Sequence, residues 1–205
     1  MLRGVFFDQF ASVVQLKKED FEISPKPSDA SSNENVLESI YSVVTDSSSS
    51  SPYGSNQNRR DVFSIALNAG FLSRKNGENM ENLPFHQANF NAYWKARART
   101  RQSMPIEMDA AGDAMRFMVD AQGWSRHRSF FITKRGYVGL GQYFAQPGDL
   151  CVVFQGGFMS FVIRRSESDG KFRLIGECYV HGIMRGELAS MVERESLAIE
   201  DIVLY

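Results

Sequence analysis

The chain has 205 residues, 43% hydrophobic and 23% charged, which suits one sizeable folded domain or two small ones and excludes a wholly disordered or fibrous protein. Lys plus Arg number 23 against 24 Asp plus Glu, so no overall charge draws the chain to nucleic acid or to an anionic membrane. Two cysteines, Cys151 and Cys178, and no Asn-x-Ser/Thr sequon point to a reducing, cytoplasmic setting, and Asp8 and Gln9 interrupt the N-terminal apolar run before it reaches the length of a signal-peptide core or a membrane span.

Residues 2–14 carry apolar side chains on both alternation faces, with Val5, Phe7, Ala11 and Val13 on one and Leu2, Phe6, Phe10 and Val14 on the other. This predicts a strand covered on both sides that pairs with something distant in sequence. Residues 24–35 and 45–60 are rich in Ser, Pro, Asp and Asn and read as mobile loops, too polar to offset their ordering entropy. Helices follow at 3.6-residue spacing. Their stripes are Val36, Leu37, Ile40, Val43 and Val44; then Phe63, Ala66, Leu67 and Phe71; then Phe90, Tyr93, Trp94 and Arg97; and finally Ala111, Ala114, Met115 and Met118, capped by Asp109 and ended by Gly123. The apolar residues of these stripes are expected in the core. Residues 95–135 hold nine basic against four acidic residues, but the cations at 95–101 are scattered around a helix and read as a solvated face.

From Arg128 the period changes to two, and turn signals recur at Lys134-Arg135-Gly136, Pro147-Gly148-Asp149 and Ser168-Asp169-Gly170. Strands are predicted near 129–134, 137–141, 150–155, 159–165, 171–180 and 200–204. The fold class is therefore α+β: one unit in which a small antiparallel β-barrel, made of the first strand and residues 128–205, carries a mostly helical insert at about 34–123.

The local chemistry is sparse. Gly139-Leu140-Gly141 lacks a third glycine and a following helix, so its glycines are read as close packing rather than a nucleotide loop. Cys178 and His181, three apart on a strand, face opposite ways about 10 Å apart, too far for a nucleophile and its base; Cys178 reads as a buried apolar side chain. Glu177, Tyr179 and His181 share one face and, with Tyr137, are the candidate binding residues at the barrel mouth. His86, His127 and His181 have no partner at metal-ligand spacing, and no carboxylate pair is spaced for acid–base work, so no catalytic residue, metal or cofactor is assigned.

Four blocks then carry a resemblance: Phe130 to Gly141 (FFITKRGYVGLG), Pro147 to Gly157 (PGDLCVVFQGG), Ser160 to Arg165 (SFVIRR) and Leu174 to Glu187 (LIGECYVHGIMRGE). In this order they resemble the C-terminal module of fungal heterokaryon incompatibility (HET) proteins, and the opening RGVFFDQF, DVFSIALNAG and FNAYWKA segments look like its first strand and helical insert. Gln142 and Ser160 stand where family members often carry proline. The resemblance implies a β-barrel and a part in non-self recognition, and it implies a non-catalytic recognition or scaffold module with a protein partner. The separate HET domain that precedes the module in the family is not expected within these residues. The alternatives are a small-ligand-binding or enzymatic barrel using Tyr137, Glu177, Tyr179 and His181, and an inactive truncated family member.

Overall fold

The computed structural model describes residues 1–23, 35–46, 51–54, 57–72, 82–101, 112–167, 170–195 and 197–205. Among the described residues there are seven strands, β1 (Leu2–Gln15), β2 (Arg128–Thr133), β3 (Val138–Gln142), β4 (Leu150–Phe154), β5 (Ser160–Arg165), β6 (Phe172–Val180) and β7 (Ile199–Ile202). Five α-helices accompany them, α1 (Val36–Thr45), α2 (Arg59–Leu67), α3 (Leu83–Arg101), α4 (Ala114–Ser125) and α5 (Glu187–Glu195). Strands run in the order β2-β3-β6-β5-β4-β1-β7, and a further β1–β2 pairing closes the first six into an antiparallel barrel. The predicted last strand, β7, lies outside that ring, pairing with β1 through Leu2 to Val5. Sequence alternation does not distinguish a ring strand from one that straps its outside.

The long first strand is the element on which closure depends. It pairs with β4 over Gly4 to Gln9 and with β2 over Phe10 to Gln15, slipping register between Phe6 and Asp8 and again between Phe10 and Ser12. These irregularities turn Phe10 into the same interior cluster as Val5 and Phe7, so the strict alternation expected for β1 is broken. Both faces are nonetheless covered. Val5, Phe7 and Phe10 fill the barrel with Phe131, Tyr137, Cys151, Val162, Cys178 and Val180, while Phe6 packs outward against Phe172 in a cluster with Ile202 and Leu204. Leu188 and Met191 of α5, a helix the sequence reading did not foresee, join the barrel interior.

The other helices cover the outer face of β2 and β3, where Phe130, Val138 and Leu140 meet Leu37, Ile40, Phe63, Leu67, Phe90, Tyr93 and Phe117. Three expectations for this layer need correction. Met115 and Val43 are exposed, because the buried face of α4 runs through Phe117 and Ala121 and that of α1 through Leu37 and Ile40. The cap of α4 is Asp113, whose carboxylate accepts from the Arg116 backbone N–H at 3.0 Å, and Gly123 lies inside the helix; Asp109 and Ala111 are outside the described residues. Arg97, expected in solvent, is 2% exposed. Its guanidinium pairs with Glu38 at 3.1 Å and donates to the carbonyls of Asp20 and Glu22 and to the Tyr93 hydroxyl, so every lost water contact has a protein replacement.

Of the two loops, residues 24–34, 47–50 and 55–56 lie outside the described residues, as do Ser168 and Asp169 of the predicted turn. Residue Tyr53 within the second loop is anchored. Its ring lies against Tyr137 at 5.5 Å, and its hydroxyl oxygen accepts from the Val138 N–H at 2.8 Å. Burial raises the Tyr53 hydroxyl above its usual pKa.

Candidate functional site

The site forms where the helical layer meets the rim of the barrel. Helix α2 ends at Asn68, and Ala69 and Gly70 take positive φ angles of 49° and 85° to turn the chain back. Gly70 is required there twice over, because a Cβ would also stand 2.5 Å from the Tyr179 ring. The Ser125 hydroxyl at the end of α4 donates to the Leu67 carbonyl at 2.6 Å and ties the two helix ends together. As a result Trp124 and Phe71 stack nearly parallel, 4.1 Å apart at 6°, while remaining 39% and 46% exposed. Phe71 therefore belongs to a surface pair beyond the helix and not to the core stripe in which its spacing placed it.

Opposite this pair, Glu177 and Tyr179 of β6 and His181 just beyond it line a cleft of about 590 Å³, closed further by Met159, Met184, Leu72 and Leu83. This is the size of a small-molecule or side-chain pocket. Along its polar side, Tyr179 Oη is 2.9 Å from His181 Nδ1, and His181 Nε2 is 2.9 Å from Gln57 Oε1. An amide oxygen only accepts, so Nε2 carries the ring proton and Nδ1 accepts from the tyrosine O–H. Burial holds His181 at a pKa of about 4, and the imidazole is neutral at physiological pH. Arg128 at the start of β2 pairs with Glu177 at 3.4 Å, and the Arg185 backbone N–H donates to the Glu187 carboxylate at 2.6 Å. Among the described lining residues the two bases, Arg128 and Arg185, are thus equalled in number by the two acids, Glu177 and Glu187.

Three of the four predicted binding residues, Glu177, Tyr179 and His181, come together here. Tyr137 does not line the cleft. It is 5% exposed, its ring edge-on to Phe7 at 4.7 Å inside the barrel, because it closes the β2–β3 turn with its side chain directed to the interior cluster. Gln57, Phe71, Trp124, Arg128, Met159 and Met184 were missed as site residues; they lie on separate elements, and no periodic signal links them. Both cysteines are free and buried, and burial raises the Cys178 thiol well above its usual pKa, keeping it protonated. Close packing does account for Gly139, where a Cβ would stand 2.0 Å from the Tyr179 carbonyl oxygen. Among the described residues no group of three or more His, Cys, Asp or Glu is placed to hold a metal, and no helix is long and apolar enough to cross a membrane. The arrangement offers aromatic stacking, thioether contact and hydrogen bonding.

Comparison with known proteins adds a relationship. The family described as Het-6 beta-barrel domain matches residues 6–199. A curated protein of Neurospora crassa, "Heterokaryon incompatibility protein 6, OR allele", is 45% identical over 67 residues, which is 32% of this chain and 10% of that protein. The matched segment is thus a small fraction of its relative. No solved structure matches.

Proposed function

The chain belongs to the Het-6 β-barrel domain family, and from that premise we propose that it is a non-catalytic recognition or scaffold module of heterokaryon incompatibility, acting in non-self recognition through a protein partner in the cytoplasm. The partner is read at the cleft of Glu177, Tyr179 and His181. The observation that carries this reading is the stacked Phe71–Trp124 pair, left substantially exposed on the wall of a cleft that Met159 also lines and in which Arg128 and Glu177 pair with each other. Aromatic residues, Met and Arg are the types enriched where proteins meet.

The test is affinity capture from a fungal extract with the wild-type chain and with His181→Ala and Glu177→Ala variants of unchanged melting temperature. A captured protein is identified, purified and titrated against each. Binding at least tenfold weaker to the variants supports the reading. Equal binding to all three, or substrate turnover abolished by these substitutions, refutes it.

A further inference from the structure

A second hollow lies beside the cleft. It has a volume of about 710 Å³ and is walled by Val5 of β1, Val153 of β4, Leu188 and Val192 of α5, and the β4–β5 turn. Met159, Met184 and Arg185 line both hollows and so form the ridge between them. On the rim, Phe158 is 95% exposed at the tip of a turn begun by Gly156 and Gly157. One face therefore carries two largely apolar depressions separated by a ridge of two flexible thioethers and Arg185, with an unburied aromatic ring at its edge.

We propose that this face binds an extended, uncharged segment of a protein partner, one aromatic side chain entering the cleft beside Trp124 and an aliphatic one entering the second hollow. The inference rests on the recognition reading above and gives the partner its chemistry. Charge is the first argument. The described lining of the cleft carries two basic and two acidic residues, Arg128, Arg185, Glu177 and Glu187, and that of the second hollow one of each, Arg185 and Glu193, so a charged segment would lose hydration there without meeting a surplus of opposite charge. Geometry is the second. A single ring fills one hollow only, whereas an extended chain rises about 3.3 Å per residue and can place two same-face side chains on either side of a ridge. The polar line of Tyr179, His181 and Gln57 borders the cleft, where it can meet the amide groups of such a backbone. Methionines at the crossing accommodate side chains of differing shape.

The experiment is selection of a random twelve-residue displayed peptide library on the immobilised full chain, followed by titration of the selected peptides. Expected are peptides of near-zero net charge, with an aromatic and an aliphatic residue a few positions apart. Their affinity should fall at least tenfold in Trp124→Ala, in Met159→Glu on the ridge, and in Ala189→Glu, which puts a charge on the exposed lining of the second hollow. Val119→Ser, which lies in neither hollow, should bind as wild type, and matched melting curves exclude unfolding. The proposal is overturned by an absence of enrichment, by predominantly charged peptides, or by loss in Trp124→Ala without loss in Ala189→Glu. It is also overturned if N-acetyltryptophanamide alone binds as tightly as the peptides, which would mean a small-molecule site, or if the chain self-associates through these residues in place of binding peptide. A purified partner that needs His181 and Glu177 but ignores Met159→Glu and Ala189→Glu would leave the recognition reading standing and remove this one.

Discussion

Substituting Gly139 by Ala tests the seam on which barrel and site both depend. Strands β3 and β6 meet through only two residue pairs, Gly139↔Val180 and Leu140↔Tyr179. A Cβ on residue 139 would stand 2.0 Å from the Tyr179 carbonyl oxygen and 2.5 Å from Cζ of Phe131, whose ring is itself stacked on Phe10 at 3.9 Å. An ordinary carbon–oxygen contact is about 3.3 Å or more, so the strands must separate by more than an ångström or the stacked rings must leave the core. Overpacking alone costs about 1–3 kcal/mol, and loosening two pairs forfeits hydrogen bonds worth about 1 kcal/mol each. A total near 4 kcal/mol lowers the melting temperature of a chain this size by roughly 8–16 °C. Gly141→Ala is the control, two residues along the same strand. Its Cβ would meet Phe131 and Ala145 at 3.5–3.7 Å, ordinary contact, and the melt should move by no more than about 3 °C. Thermal unfolding followed by circular dichroism reads both. Equal shifts in the two variants, or a Gly139→Ala melt within 3 °C of wild type, would show that the close approach of β3 to β6 is not what these glycines serve.

Acid should destabilise the helical layer through His86, which is fully buried with Nε2 3.2 Å from the Ser64 hydroxyl oxygen and is held by burial at a pKa of about 4 against an ordinary 6.5. Its folded pKa lies below the unfolded one, so the unfolded chain takes the proton first. Stability is therefore full above pH 6.5 and falls by about 3 kcal/mol as the pH drops toward 4. In His86→Leu, urea denaturation across that window should show a correspondingly shallower loss. Arg97→Met leaves Glu38 and two backbone carbonyls without their donor and should cost about 3 kcal/mol, seen as a lower urea midpoint; a cost under 1 kcal/mol would mean that water replaces the guanidinium. Deleting residues 1–14 removes the partner of β2, β4 and β7 at once, and the product should aggregate or lose cooperative unfolding by calorimetry. Induced expression of this chain alone in hyphae should leave viability unchanged, whereas death that disappears when Phe131 is replaced by Asp would show signalling by the module itself.

Sequence alone determined the elements of this protein, α5 excepted, and its family. Alternation in 129–180, glycine turns between the strands and a twice-apolar first strand sufficed for an α+β barrel with a helical insert, because strand period and turn chemistry are local properties. The same local rules placed Glu177, Tyr179 and His181 on one face. Tertiary structure decided the rest. Whether Arg97 meets water or Glu38, whether Phe71 lies in the core or on Trp124, and whether Tyr137 faces the cleft or Phe7 all depend on partners on other elements, for Arg97 and Phe71 more than fifty residues away. The cleft is likewise a product of assembly. Its walls come from the ends of α2 and α4, the β4–β5 turn and the segment after β6, which become neighbours because β6 pairs with β3 on one side and β5 on the other, and no spacing within any one of them encodes the hollow between them.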